Sequence, residues 1–214
     1  MGRDTESDLD AARQRLVDRL VERGYVERDS TERALRAVPR HEFVPDGSRR
    51  RAYEDTPLPI GTGQTISAPH MVAIMTDLLA PDAGDRLLEI GTGCGYHAAV
   101  VSEIVGPGNV YSVEYHADLA RESRERLARL GYDVHVRRGD GHEGWPEHAP
   151  YDGAYLTCAP QTVPETVVEQ VRTGGRVVAP EGERVQTLVV LRPTGSGIER
   201  ETHGRVRFVP MRSG

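Results

Sequence analysis

Leu87-Leu-Glu-Ile-Gly-Thr-Gly-Cys-Gly-Tyr96 is an apolar run that breaks into three alternating glycines. Residues 86–90 predict a buried strand, and a helix is expected to begin at Tyr96. Between them, Gly91, Gly93 and Gly95 can take backbone angles that other residues resist. They also leave the main chain open to close approach by a ligand. The pattern is not the dinucleotide fingerprint Gly-x-Gly-x-x-Gly. Its third glycine comes one residue early, and Tyr96 fills the fingerprint position. Such a loop by itself is weak, because a plain tight turn has the same composition.

Downstream of this loop, strand and helix signals alternate. Strands are expected at 109–113, 133–137, 152–157, 176–179, 186–192 and 204–209, and helices at 96–105, 117–130 and 162–172. Alternation of this kind predicts an α/β fold, a mostly parallel, doubly wound sheet with helices on both faces. Ligands of open α/β sheets bind at the carboxyl ends of the strands. Glu114 ends the second strand, where a carboxylate can accept hydrogen bonds from both hydroxyls of a ribose. Gly139-Asp140-Gly141 follows the third strand. Alone, Glu114 is an ordinary solvated strand end and Asp140 an ordinary turn residue. Three such features at successive strand ends, in order, predict a nucleoside site.

Upstream, Leu9, Leu16, Val17, Leu20 and Val21 recur at helical spacing, and Gly24 is placed to end that helix. Asp29 and Glu32 resemble a capping box for a second helix that should stop before Pro39. Residues 40–63 read as loop. Ser67-Ala-Pro69 reads as a helix start, a capping hydroxyl followed by proline in the first turn. That helix should run through Met71, Ile74, Met75, Leu78 and Leu79 to end near Pro81. The expected organisation is a helical, site-covering layer over 1–80 and a sheet core over 81–214, forming one compact unit.

Composition narrows the function. A chain of 214 residues suits one domain. The net charge of −6 argues against a general nucleic-acid binder. No apolar run approaches the ~18 residues of a membrane span, and no signal-type segment follows the polar Met1–Asp8. Cys94 and Cys158 do not make a disulfide framework, so a reducing cytoplasm is expected. The eight histidines show no zinc spacing, and no metal is expected. All 27 basic residues are arginine, which either a GC-rich genome or a salt-rich cytoplasm explains. A monomer is the default expectation.

Glu89-x-Gly91-x-Gly93-x-Gly95 resembles the first motif of class I S-adenosylmethionine-dependent methyltransferases, a Rossmann-like fold. The chain as a whole resembles the protein-L-isoaspartate (D-aspartate) O-methyltransferase family. The resemblance is carried by Val38-Pro-Arg40, Phe43-Val-Pro45, Ala52-Tyr53, Pro57-Leu-Pro-Ile-Gly61, Gln64-Thr-Ile-Ser-Ala-Pro-His-Met71, Leu88-Glu-Ile-Gly-Thr-Gly93, Gly139-Asp-Gly141, Ala149-Pro-Tyr-Asp152, Gly174-Gly175 and Phe208-Val-Pro210. The stretch Thr65-Ile-Ser-Ala-Pro-His-Met71 is the specific one.

The resemblance implies methyl transfer from S-adenosylmethionine, which leaves as S-adenosylhomocysteine, to the free α-carboxylate of L-isoaspartyl residues in damaged proteins of broad sequence. The ester then closes to a succinimide that opens to normal aspartate. It implies that Gln64, Thr65, Ile66, Glu89, Gly91, Gly93, Gly95, Glu114, Asp140 and Gly141 hold the cofactor. Asp140 would read the adenine amino group. Ser67 is implied as catalytic, and Ser67 and Val209 as substrate contacts. A carboxylate with a pKa of about 4 is already ionised at neutral pH and needs no general base. The lack of a Ser-His-Asp set is therefore expected, and His70 and His97 are expected to pack or hydrogen-bond instead. The other reading of the resemblance is a tailoring enzyme that esterifies Asp of one dedicated precursor. Cys158 opens a nucleic-acid alternative, but Thr157-Cys-Ala-Pro160 is neither the Pro-Cys order of cytosine C5 enzymes nor the Asp/Asn-Pro-Pro-aromatic of DNA amino-methylating ones.

Overall fold

A computed structural model describes residues 5–213. The first four residues and Gly214, at the outer edges of the two expected segments, lie outside the described residues. Helices α1 (Glu6–Glu22) and α2 (Asp29–Ala37) precede a hairpin of β1 (Leu58–Gly61) and β2 (Gln64–Ile66), followed by α3 (Pro69–Leu79). Then come β3 (Leu87–Ile90), α4 (Tyr96–Val105), β4 (Val110–Glu114), α5 (Ala117–Arg129), β5 (Val134–Arg138), β6 (Tyr151–Leu156), α6 (Glu165–Glu169), β7 (Val171–Glu181), β8 (Gln186–Thr194) and β9 (Gly197–Val206).

Strands β3 to β9 form one sheet in the order β5-β4-β3-β6-β7-β8-β9. The five from β3 to β7 run parallel, and β8 and β9 add on antiparallel. Successive side chains of a strand point to opposite faces. Accordingly Leu87, Val110, Tyr155 and Val178 join one apolar cluster with Met75 and Leu79 of α3 and Val101 of α4. Their neighbours Leu88, Tyr111, Ala154 and Val177 join another with Val167 and Val168 of α6. Burial on both faces is why these strands read as largely apolar runs rather than as alternating ones. A third cluster ties Leu16 and Leu20 of α1 and Leu35 of α2 to Tyr96 and Val100 of α4.

Several boundaries differ from the sequence expectation. The helix expected over 162–172 is cut to five residues by Pro164 at its entry and by Val171, which pairs with Tyr151 as β7 begins. The strand expected over 204–209 is instead β9, which turns back at Gly195-Ser196 and ends at Val206. Residues 40–63 hold two 3-10 turns and β1 rather than loop alone.

Both expected caps also move. Proline forces the preceding residue out of the helical region. Ala68, with ψ 144, therefore takes the N-cap of α3, and Ser67 does not cap it. For α2 the cap is Arg28, with no side-chain cap, because Glu32 binds Arg36 and the backbone N–H groups of Glu27 and Arg28 donate to Asp77. The capping box that does form joins Thr5 and Asp8 ahead of α1.

Gly175 shows why the Gly174-Gly175 pair suits this place. A Cβ at Gly175 would sit 2.4 Å from the carbonyl oxygen of Asp152 on the neighbouring strand. Gly175→Ala should destabilise by about 1–3 kcal/mol through backbone displacement. Urea unfolding should give a lower midpoint, whereas Gly195→Ala, with open space around its Cβ, should leave the midpoint unchanged.

Candidate active site

The chain runs from β3 through β4 to β5 on one side, then returns to place β6 on the other side of β3. Such a reversal opens a crevice at the carboxyl ends of the strands. A cleft of about 530 Å³ lies there. Gly91 and Gly93, with φ of 99° and 55°, form its floor. Gly141, Gln64, Thr65 and Val209 also line it. A Cβ on Gly141 would stand 2.4 Å from Cγ2 of Ile90 and 2.9 Å from Cε of Met211.

Glu114 is buried in the wall of this cleft and fixed at both oxygens. Oε2 accepts from the backbone N–H of Gly93 and Oε1 from that of His116, each at 2.9 Å. Each carboxylate oxygen keeps further lone pairs for a ligand. The next two residues, Tyr115 and His116, also line the cleft, as do Met211 and Arg212. The chain after β9 is brought there by two bonds to Ala159, whose N–H donates to Val209 and whose carbonyl accepts from Met211, both at 2.8 Å.

A smaller pocket of about 310 Å³ lies behind the glycine loop, lined by Ile66, Ser67, Glu89, Thr92 and His97 among others. A third cavity, a groove of about 940 Å³, runs past Ser67, His70, Arg205, Arg207 and Val209. Thr65 and Thr157 line all three spaces, and Ser67 separates the pocket from the groove. Two expected residues stand apart. Gly95 lines none of these spaces; it begins α4 with φ 91°, and a Cβ there would meet Leu127 at 3.1 Å. Asp140 borders a separate depression beside Tyr115, and its Oδ1 accepts from both the backbone N–H and Nδ1 of His142.

The start of α3 is held from behind. The fully buried Arg40 donates to the carbonyls of Ala52 (2.8 Å) and Thr56 (3.3 Å) and lies over the Tyr96 ring. That fixes the loop carrying Asp55, whose Oδ1 accepts from the backbone N–H and Nδ1 of His70 at 2.9 Å. The N–H groups of Met71 and Val72 turn to Ala68, and Pro69 has none. The first turn of α3 therefore has no N–H left over for a bound carboxylate.

The polar groups around the cleft and the small pocket are held mostly neutral. Burial pushes the thiol of Cys158, in the cleft wall, up to about 12. Cys94 and Cys158 are both free thiols. Burial also pushes the His97 imidazole down to about 3. The hydroxyl of Thr76 donates to the carbonyl of Val72, so Nε2 of His97 must be the donor in its 3.0 Å bond to Thr76. His97 is thus a neutral packing residue against Tyr155, with ring centroids 4.5 Å apart. Among the described residues no group of His, Cys, Asp and Glu is placed to hold a metal ion.

The sheet order, the glycine-floored cleft and the helical cover define a class I methyltransferase fold. A solved protein-L-isoaspartate O-methyltransferase superposes with a TM-score of 0.87 at 32% identity, covering 94% of this chain and 66% of its own. A Plasmodium falciparum structure, titled as a putative protein-L-isoaspartate O-methyltransferase in complex with S-adenosyl-L-homocysteine, has the same fold. Its TM-score is 0.81 at 23% identity, over 94% of this chain and 98% of that one. Protein-L-isoaspartate O-methyltransferase 2 of Archaeoglobus fulgidus is 51% identical over 96% of this chain and 94% of its own. The family profile "Protein-L-isoaspartate(D-aspartate) O-methyltransferase (PCMT)" matches residues 11–214, and the chain belongs to this family.

The His97 shift has a testable sign. The folded protein keeps His97 neutral down to about pH 3, whereas the unfolded chain takes up a proton below 6.5. This contribution to stability is complete above pH 6.5 and is lost as pH falls from 6.5 towards 3. One proton corresponds to about 1.4 kcal/mol per pH unit. Urea unfolding at pH 5 and pH 7.5 should show a loss about 2 kcal/mol larger in the wild type than in His97→Gln. Equal losses would contradict the assignment.

Proposed function

We propose that the chain is a protein-repair enzyme, transferring a methyl group from S-adenosylmethionine to the α-carboxylate of L-isoaspartyl residues. The observation that carries this reading is the position of Ser67, between the pocket behind the glycine loop and the open groove. Family membership and the name of the half-identical relative supply the reaction. The cofactor, when bound, supplies an activated methyl group on a sulfonium. The cleft suits it: a fixed carboxylate at Glu114 for ribose hydroxyls, and Gly91, Gly93 and Gly141 where no side chain obstructs.

Gln64, Thr65 and Ile66 on β2 face this cofactor space, and Glu89 faces its inner end. Asp140 would contribute from beside the cleft and Gly95 by packing the loop rather than by contact. The peptide lies in the groove along Val209, and the Arg205 and Arg207 side chains in its wall favour a carboxylate. The Ser67 hydroxyl donates to that carboxylate. The substrate is already ionised, so the residues have only to orient it and exclude water.

Residues 1–80 act as the cover and 81–214 as the core of one working unit. Support comes from the apolar cluster that joins α1 and α2 to α4. The working unit is a monomer in the cytoplasm. No helix among the described residues is long and apolar enough to cross a membrane.

Two peptides differing only in one L-isoaspartyl versus L-aspartyl residue test the activity, with labelled methyl donor and base-labile ester counted. Ester on the isoaspartyl peptide alone is expected; ester on neither, with cofactor bound, would remove the repair reading. Since Ser67 caps nothing, Ser67→Ala should change stability by no more than about 0.5 kcal/mol. Its kcat/KM should fall by about 10- to 100-fold, the worth of a hydrogen bond to a charged group. Full turnover by this variant would rule out the assigned role.

A further inference from the structure

The small pocket contains an acid that the methyl transfer itself does not use. Glu89 is 0% exposed. Ser112 donates to its Oε2 at 2.5 Å and is itself bonded to Thr92, while Oε1 has no hydrogen-bond partner among the described residues. The titratable groups facing it are Glu114 on β4, Tyr155 on β6, Cys158 just after β6, His97 on α4 behind the Tyr155 ring, and Cys94 and Tyr96 at the entry of α4, which line the same pocket and are held protonated by burial. None offers a positive charge. His97 is held neutral, Tyr155 and Cys158 are held protonated by burial, and Glu114 adds repulsion. An ionised carboxylate is unfavourable in such a place.

The position is the second observation. The pocket shares Gly91 and Gly93 with the cleft and Ser67 with the substrate groove. Ser67 borders this pocket and the groove together, which makes the pocket a direct route for a methyl group handed to a carboxylate there. The end of the cofactor that carries the methyl, with its sulfonium and ammonium, therefore belongs beside Glu89.

We propose that Glu89 is an ionisation switch for the cofactor, protonated in the empty enzyme and deprotonated when the positively charged methionine end enters. The inference rests on the S-adenosylmethionine reading above. The balance is simple. The Glu89 carboxyl gives its proton to solvent as the cation binds, and takes one back when the product leaves. Burial, with Glu114 adding to it, pushes Glu89 up to about 8 in the empty enzyme, so the neutral form dominates at pH 7. The Glu89 contribution to binding should then strengthen as pH rises, by up to about tenfold per unit below pH 8, and level off above it. An empty pocket with a neutral acid also avoids a bare buried charge between turnovers.

The test is titration calorimetry of S-adenosylmethionine binding at pH 7 in buffers of different ionisation heat. The cofactor's own amino group titrates in a similar range, so the quantity read is the difference between wild type and Glu89→Gln. The wild type should release close to one proton more than the variant. Infrared difference spectra of the wild type should show a protonated-carboxyl carbonyl band in the empty enzyme that disappears on binding. This second readout decides the matter if the variant does not fold. Equal proton release, or an empty enzyme without that band, would overturn the proposal while leaving the repair function standing. Absence of any binding would overturn the cofactor assignment, and this proposal with it.

Discussion

The parallel pairing of β3 with β4 on one side and β6 on the other is the constraint from which the rest follows. Backbone groups of one strand cannot serve two diverging chains past the ends of the strands. The loops after β3, β4 and β6 must therefore separate, and their freed polar groups need new partners. Thr157 supplies some of them, with its N–H to the carbonyl of Ile90 and its hydroxyl to that of Gly91. Glu114 supplies another, accepting from Gly93. The same bonds that close the sheet end thus shape the cleft floor, and site and fold share one hydrogen-bond inventory.

The helical layer solves a different problem. The cleft is only a rim of loops until something lies across it, and that cover has to be stiff. The Val38-Pro-Arg40 turn does this with a buried guanidinium set against carbonyls and an aromatic ring rather than a carboxylate. Burial without a direct ion-pair partner among the described residues pulls the Arg40 pKa down. The cost is offset by fixing Ala52 to Thr56, and through Asp55 the entry of α3. Ser67 is placed accurately because its neighbours are tied from behind, which leaves its own hydroxyl out of the helix cap.

The central strands were legible in the sequence because they are buried on both faces, whereas the exposed β9 gave no apolar signal and its strand was expected at 204–209. The glycines were legible because a left-handed backbone demands them, and Glu114 because it ends the strand that follows them. The cap at Ser67 was misread because a hydroxyl near a helix start is a local signal, and Pro69 overrides it one residue later. The helix after Pro164 was overestimated because Val167, Val168 and Val171 suit a buried strand as well as a buried helix, and only the pairing of Val171 with Tyr151 decides. Met211 and Arg212 carry no local signal, since they reach the cleft through two main-chain bonds to Ala159, to which any residue type is blind. Tyr115 and His116 were available as the residues directly after Glu114, but nothing in their own chemistry marked them.

Thr65 and Thr157 border the cleft, the inner pocket and the groove at once. A change in size at either position alters the fit of both reactants together, so neither can be adjusted for one partner alone. Adaptation of such an enzyme to new peptides is channelled elsewhere, to the exposed Arg205 and Arg207 on the outer lip of the groove. The two threonines are a point of low evolvability and the lip a point of high evolvability, and this division is built into how three spaces share one wall.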